Sequence, residues 1–216
     1  RVKTGRVSFD PLVRIYRMLE FVAFGGDLER ARFSLLDGLA GRRSILILGE
    51  GDGRALARLV QLAPSAQIHC IDSSAAMLIR AKARLAGVGA RDRVTFECAD
   101  ALNCEFPAAR YDAVVTLFFL DCFDAAQAAD VVRRVNVALQ PGADWLFADF
   151  VLPAGGVARW RARAWLAVLY AFFHWQTGLR TRELPPSETL ILGAGFQREA
   201  VRDFQWGLLR AALFRK

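Results

Sequence analysis

Cysteine, histidine and lysine are scarce in this chain, and uncharged apolar runs of membrane-spanning length are missing. The four cysteines, Cys70, Cys98, Cys104 and Cys122, show no C-x-x-C spacing, and Cys70 and Cys98 fall in stretches that read as buried strands. That pattern excludes a disulfide scaffold or a zinc ribbon; reduced thiols in a cytoplasmic protein and no metal are expected. No apolar run reaches the roughly 18 residues of a membrane span, and the start at Arg1 has no signal-peptide layout. Lysine supplies 3 of the 29 basic residues and arginine 26. The arginines are scattered through every segment, so the net charge of +7 reads as much as genomic composition as selection for nucleic acid or anionic lipid.

What the chain does have is enough apolar material for one core: 216 residues, 54% hydrophobic and 24% charged, fit a single domain. Its organising stretch is residues 44–54. An apolar, β-prone run, Ser44 to Leu48, stops at Gly49, Gly51 and Gly53, and a helical pattern follows from Arg54. Glycines at alternate positions allow a sharp turn and close approach of the backbone to a ligand, while the first N–H groups of the helix face the same space. The spacing departs from G-x-G-x-x-G, the third glycine coming one residue early. A second apolar run, Gln67 to Asp72, ends in a carboxylate 23 residues after Gly49, near the separation at which an acidic residue meets ribose hydroxyls. A third, Val94 to Cys98, is followed by Asp100 and Ala101, and a fourth, Tyr111 to Leu117, leads into Phe118 and Asp121.

Helical patterns separate these runs. Ala55 to Ala63 ends at Pro64, Ser73 or Ser74 caps the next helix, and Ala125 to Leu139 leads to a Pro141-Gly142 turn and a strand from Asp144 to Asp149. The alternation predicts right-handed crossovers and a mainly parallel α/β sheet. Before it, helices are expected from Asp10 to about Phe24 and, capped by Asp27, through Leu28, Ala31, Leu35 and Leu39. After it, Val157 to Thr177 carries arginines at 159, 161 and 163 and a strongly aromatic middle. This helix is too short to span a bilayer and too apolar for a solvated surface, so it covers the core, closes over a substrate or lies at a lipid interface. Glu199 to Trp206 and Leu208 to Arg215 read as two strands joined at Gly207.

The glycine loop, residues 71–78, 98–101, 111–115 and 139–142 together resemble the class I S-adenosylmethionine-dependent methyltransferases, in particular the small-molecule branch that includes quinone and lipid methyltransferases. The resemblance covers roughly residues 42 to 150. It implies a Rossmann-like, doubly wound, seven-stranded sheet, mainly parallel, with an antiparallel C-terminal hairpin and an N-terminal helical lid. It divides the chain into a lid (1–41), a cofactor-binding core (42–150), an aromatic substrate-side helix and loop (151–195) and the terminal hairpin (196–216). It implies S-adenosyl-L-methionine as cofactor, held by Gly49, Glu50, Gly51, Gly53, Asp72, Ser73, Met77, Asp100, Ala101, Leu117, Phe118 and Tyr16, with Phe9 a further lid candidate. One departure is Ile47, where the family has an acidic residue; Glu50 or Asp52 is then left to meet the methionine end. Plain alternatives stand beside these roles: Tyr16 and Met77 as packing residues, Asp100 as a turn former.

Methyl transfer from a sulfonium needs positioning and a dry site more than any particular base. If the acceptor loses a proton, His174 and Asp121 are the candidate catalytic groups, with Asp149 comparable to Asp121, while His69 sits mid-strand and reads as structural. The segment after the fourth strand lacks the Asn-Pro-Pro-Tyr type sequence of amino-methylating nucleic-acid enzymes, so no DNA substrate is expected. The resulting expectation is a cytoplasmic methyltransferase, with peripheral membrane contact open, acting on a small hydrophobic acceptor. The alternatives are a non-catalytic cofactor-binding or membrane-surface relative and an RNA methyltransferase.

Overall fold

The computed structural model describes residues 26–153, 155–157, 159–165 and 184–216. In chain order its elements are α1 (Asp27–Phe33), a 3-10 turn (Leu36–Leu39), β1 (Ser44–Leu48), α2 (Arg54–Leu62), β2 (Gln67–Asp72), α3 (Ala75–Leu85) and β3 (Val94–Cys98). Then come β4 (Tyr111–Leu117), α4 (Ala125–Ala138), β5 (Leu139–Phe150), α5 (Ser187–Gly193), β6 (Gln197–Phe204) and β7 (Leu209–Arg215). Residues 156, 157 and 159–165 are also helical.

The seven strands form one sheet in the order β3-β2-β1-β4-β5-β7-β6. The first five run parallel, and β7 pairs antiparallel with both β5 and β6. The order reverses between β1 and β4, which makes their carboxyl ends the switch point where such sheets leave a crevice. Both faces are covered, which is why the central strands are apolar without alternation. Ile45, Ile47, Val115 and Leu146 face α2 and α3 through Leu56, Leu59, Ala81 and Leu85. Leu46, Leu48, Val114, Trp145 and Phe147 face α4 and α5 through Val131, Val135 and Ile191.

Polar anchors fix the ends opposite the crevice. Asp144 is fully buried and binds Arg42 Nε at 2.7 Å and Arg215 Nε at 3.0 Å. The Asp112 carboxylate accepts the Arg43 and Ser44 N–H groups at 2.7 and 2.9 Å. Arg93 donates to the carbonyls of Val60, Ala63 and Ala66, closing the C-terminal end of α2.

Four local expectations change. Pro141 and Gly142 do not end a helix-to-strand turn but lie inside β5, where a register shift opposite Tyr111 and Ala113 absorbs the extra residues as a bulge. Asp27 is the first residue of α1 rather than its cap, with Gly26 at the cap position. Cys98 is exposed, because β3 is an edge strand. A short helix, α5, fills the segment between Pro186 and Gly195, within what the resemblance implies is the loop after the aromatic helix. The helix expected over residues 10–24 and most of the aromatic one after 165 lie outside the described residues.

Candidate active site

The crevice is built from four strand ends. At the end of β1 the chain turns through Gly49, Gly51 and Gly53, with φ of 69°, 69° and 86°. This left-handed region is open to glycine and costly to other residues. Gly49 needs the absent side chain twice over, since a Cβ there would stand 2.4 Å from the Phe119 ring. Around Gly51 the same construction meets nothing within 4 Å, so its backbone faces open space. The turn thus has one wall packed and one wall free for close approach of a ligand.

Asp72, at the end of β2, holds that turn in place. Its carboxylate accepts the Gly51 N–H at 3.0 Å and the Ser74 N–H at 2.8 Å, joining the loops after β1 and β2. Burial pushes its pKa up against these two hydrogen bonds, which lower it. A carboxylate has about four acceptor positions, so two remain after both bonds. Ser73 is exposed beside it; Ser74 caps α3 by accepting the Met77 N–H, and Met77 is half-buried on the first turn. Beyond β3, Asp100 is exposed and closes its own turn, accepting from Leu102 N and Asn103 Nδ2 at 2.9 and 3.0 Å. The turn-former reading of Asp100 therefore holds, and two of its acceptor positions stay unused. Ala101 beside it is buried.

The acidic residues of the glycine loop divide the labour. Glu50 is only 9% exposed and turns inward, where it accepts the Leu56 N–H at 2.9 Å at the first turn of α2. Burial raises its pKa to about 7, opposed by that N–H and by the charge of Arg32. Asp52 is ion-paired with Arg54 at 3.0 Å and Arg84 at 3.1 Å. Burial works to raise its pKa, but Arg54, Arg84 and Arg32 hold it below the usual carboxylate range. Ile47 lies in the core against α2, which explains why no carboxylate stands there.

The end of β4 is strained. Phe118 has φ of 55°, rare for an aromatic residue, and its N–H donates to Ala148 O at 2.6 Å. Its ring packs on Phe150 and lies under the Arg32 guanidinium, while Leu117 before it is buried. Strain of this kind concentrates at functional sites. The bend carries the chain into a 3-10 turn, Leu120–Cys122, where Asp121 meets Asp149 at the end of β5. The Asp121 N–H donates to Asp149 Oδ2 at 3.1 Å. Burial pushes Asp121 up to about 6. Asp149, 1% exposed, lies well above the carboxylate range through burial and the neighbouring charge.

Of the residues read from the sequence, the structure brings Gly49, Glu50, Gly51, Gly53, Asp72, Ser73, Met77, Leu117, Phe118 and Asp121 to the carboxyl ends of β1, β2 and β4, with Asp100 and Ala101 beyond β3. Tyr16, Phe9 and His174 lie outside the described residues. His69 is structural as expected, sharing hydrogen bonds with the Tyr111 hydroxyl at 2.8 Å and Glu97 at 2.9 Å. Phe119 was missed: its contact with Gly49 is tertiary, and no local pattern announces it. Among the described residues no group of His, Cys, Asp and Glu is disposed to hold a metal ion.

Comparison with known proteins agrees with this arrangement. A family model described as a methyltransferase domain matches residues 45–142. An O-methyltransferase family protein from Burkholderia thailandensis superposes with a TM-score of 0.64 at 18% identity, covering 96% of this chain and 57% of that one. An S-adenosylmethionine-dependent methyltransferase from Mesorhizobium loti gives 0.63 at 19% identity, over 86% and 98%. Human N-acetylserotonin methyltransferase, in complex with S-adenosylmethionine, gives 0.61 at 19%, over 87% and 51%. The chain thus spans only about half the length of the human and Burkholderia proteins. Residues 45–142 match a methyltransferase-domain model, and the sheet that contains them has the fold of the class I S-adenosylmethionine-dependent methyltransferases.

Proposed function

We propose that this chain is an S-adenosylmethionine-dependent methyltransferase acting on a small hydrophobic acceptor, of the kind handled by the quinone and lipid branch. The observation that carries the reading is the clasp of Asp72 across the Gly49–Gly53 turn, with open space over Gly51. These residues suit the cofactor: a turn with no side chain over Gly51 admits an adenosyl group, and the free acceptor positions of Asp72 suit ribose hydroxyls. When bound, S-adenosylmethionine supplies an activated methyl group on a sulfonium. With the cofactor bound, Asp100, Ala101, Met77 and Ser73 would hold the adenine, Leu117 and Phe118 would line the site, and Glu50 would be the acidic residue left to meet the methionine end. Tyr16 and the segment 1–41 are assigned to the lid, 42–150 to the cofactor core, 151–195 to the acceptor side and 196–216 to the hairpin.

Asp121 is the group to accept a proton from the acceptor, with Asp149 holding it in place through the backbone hydrogen bond. His174 is the alternative base. A carboxylate pushed up to about 6 is ionised at neutral pH yet basic enough to help an acidic hydroxyl lose its proton. The arginines argue for a small acceptor over RNA. Arg42, Arg93, Arg134 and Arg215 are engaged with the buried Asp144 carboxylate or with backbone carbonyls, and Arg210 with Glu188 and Asp203, rather than presented to a phosphate backbone. No helix among the described residues is long and apolar enough to cross a membrane, which fits a cytoplasmic or membrane-peripheral place. The test is methyl transfer from labelled S-adenosylmethionine to hydrophobic phenols and quinols. Label should enter the phenol or quinol and depend on Asp72; a folded protein that binds S-adenosylhomocysteine but labels nothing would favour the non-catalytic relative.

A further inference from the structure

The rim beyond β5 carries a second feature that methyl transfer does not use. Of the helical residues 156, 157 and 159–165, Ala162 is buried against Leu28, Ala31, Leu208 and Leu209. At 3.6 residues per turn the opposite face is Val157, Trp160 and Ala164. Val157 is 79% and Trp160 73% exposed. Arg161 and Arg163 stand on either side of that stripe, each about 100° from Ala162. Next to the helix, the turn between β6 and β7 holds Gln205 and Trp206 at φ of 50° and 60°, and Trp206 is 76% exposed. Two consecutive non-glycine residues in the left-handed region are a costly way to turn a chain. Here the turn is held by Leu208 N–H on Gln205 O, by Gln205 Nε2 on Asp27, and by the Arg161 guanidinium 5.1 Å above the indole. The strained turn thus presents an indole to solvent under the guanidinium of Arg161, the residue after Trp160.

We propose that Val157, Trp160 and Trp206, flanked by Arg161 and Arg163, form a docking surface for an anionic lipid bilayer. Indoles seat at the level of the headgroups, and arginines extend their charge to the phosphates while their stems lie along apolar surface. Residues 155–165 contain three arginines and no acidic residue, which complements a negative surface. The same charge disfavours a second copy as occupant, because in a two-fold dimer this face meets itself and sets arginine against arginine.

The experiment is flotation of the full chain with vesicles of phosphatidylcholine alone and of equal phosphatidylcholine and phosphatidylserine, without cofactor or acceptor, so that it is independent of catalysis. The wild type should partition at least about tenfold more strongly onto the anionic vesicles, and raised salt should release it. W160A/W206A should lower partition about tenfold, and R161Q/R163Q by about fivefold for each arginine. Both variants lose the Arg161–Trp206 contact, so circular dichroism must show each still folded at the assay temperature, while W160A and R163Q alone leave that contact in place and should keep the wild-type melting curve while lowering partition. Equal partition of wild type and both variants, equal binding to neutral and anionic vesicles, or no binding at low salt overturns the proposal. A double-tryptophan variant that dissociates a dimer in sedimentation velocity while floating like the wild type overturns it in favour of self-association.

Discussion

Replacing Glu50 by glutamine should stabilise the protein at alkaline pH and leave it unchanged in acid. Glu50 is buried, and its proton-binding midpoint rises from 4.5 to about 7 on folding. That corresponds to roughly 3 kcal/mol of differential stability. The sign follows from proton counting: between these values the folded state binds more protons than the unfolded one, so stability falls as pH rises. The contribution is fully present below about 4.5 and lost as pH passes through about 7. Glutamine keeps an oxygen for the Leu56 N–H and never ionises. Urea unfolding of both proteins from about pH 4 to 8.5 should therefore give curves that coincide below about pH 4.5, separate progressively from there to about pH 7 and run parallel above it, with Glu50→Gln more stable by about 3 kcal/mol at pH 8. Other groups titrating in this range, Asp121 among them, are common to both proteins and cancel in the difference. A difference that stays flat with pH, or a variant less stable at pH 8, would refute the burial of an ionisable carboxyl group under the glycine turn.

Other substitutions probe the neighbouring contacts. Gly49→Ala combines a φ of 69° with a Cβ 2.4 Å from Phe119, and should cost about 2–3 kcal/mol by chemical denaturation; Phe119→Ala in the same chain should recover part of it. Asp144→Asn leaves Arg42 and Arg215 without their shared carboxylate and should cost about 2–3 kcal/mol, less than a fully buried pair because both arginines reach solvent. Asp121→Asn should lower kcat by about a hundredfold or more and remove the acid limb of its pH profile, set in the wild type by a group near 6. Unchanged kcat with that limb intact would transfer the base role elsewhere.

The parts of the fold that were legible from the sequence are those set by local chemistry. Three glycines after an apolar run can only turn sharply, and β1, α2, β2 and α3 fall where periodicity and the Ser74 cap put them. Elements decided by tertiary contact were not legible. Pro141 and Gly142 look like a turn until β4 supplies a partner strand that carries the chain through them as a bulge. Cys98 looks buried until β3 proves to be the sheet edge. At the site, the carboxylates at strand ends were readable as positions but not as partnerships. The clasp of Asp72 on Gly51 and the meeting of Asp121 with Asp149 join residues 21 and 28 apart, and the reach of Glu50 to the Leu56 N–H six residues on depends on how the glycine turn bends.

The most direct measurement is titration of isotopically labelled protein with S-adenosylhomocysteine, followed at the backbone amides of Gly49, Gly51, Gly53 and Ser73. A rim that grips an adenosyl ligand should show saturable shifts concentrated at these amides, and Asp72→Ala should abolish them in a folded protein. Amides of the turn that stay unmoved at millimolar ligand, or shifts confined to the far end of the sheet around Asp112 and Asp144, would contradict it.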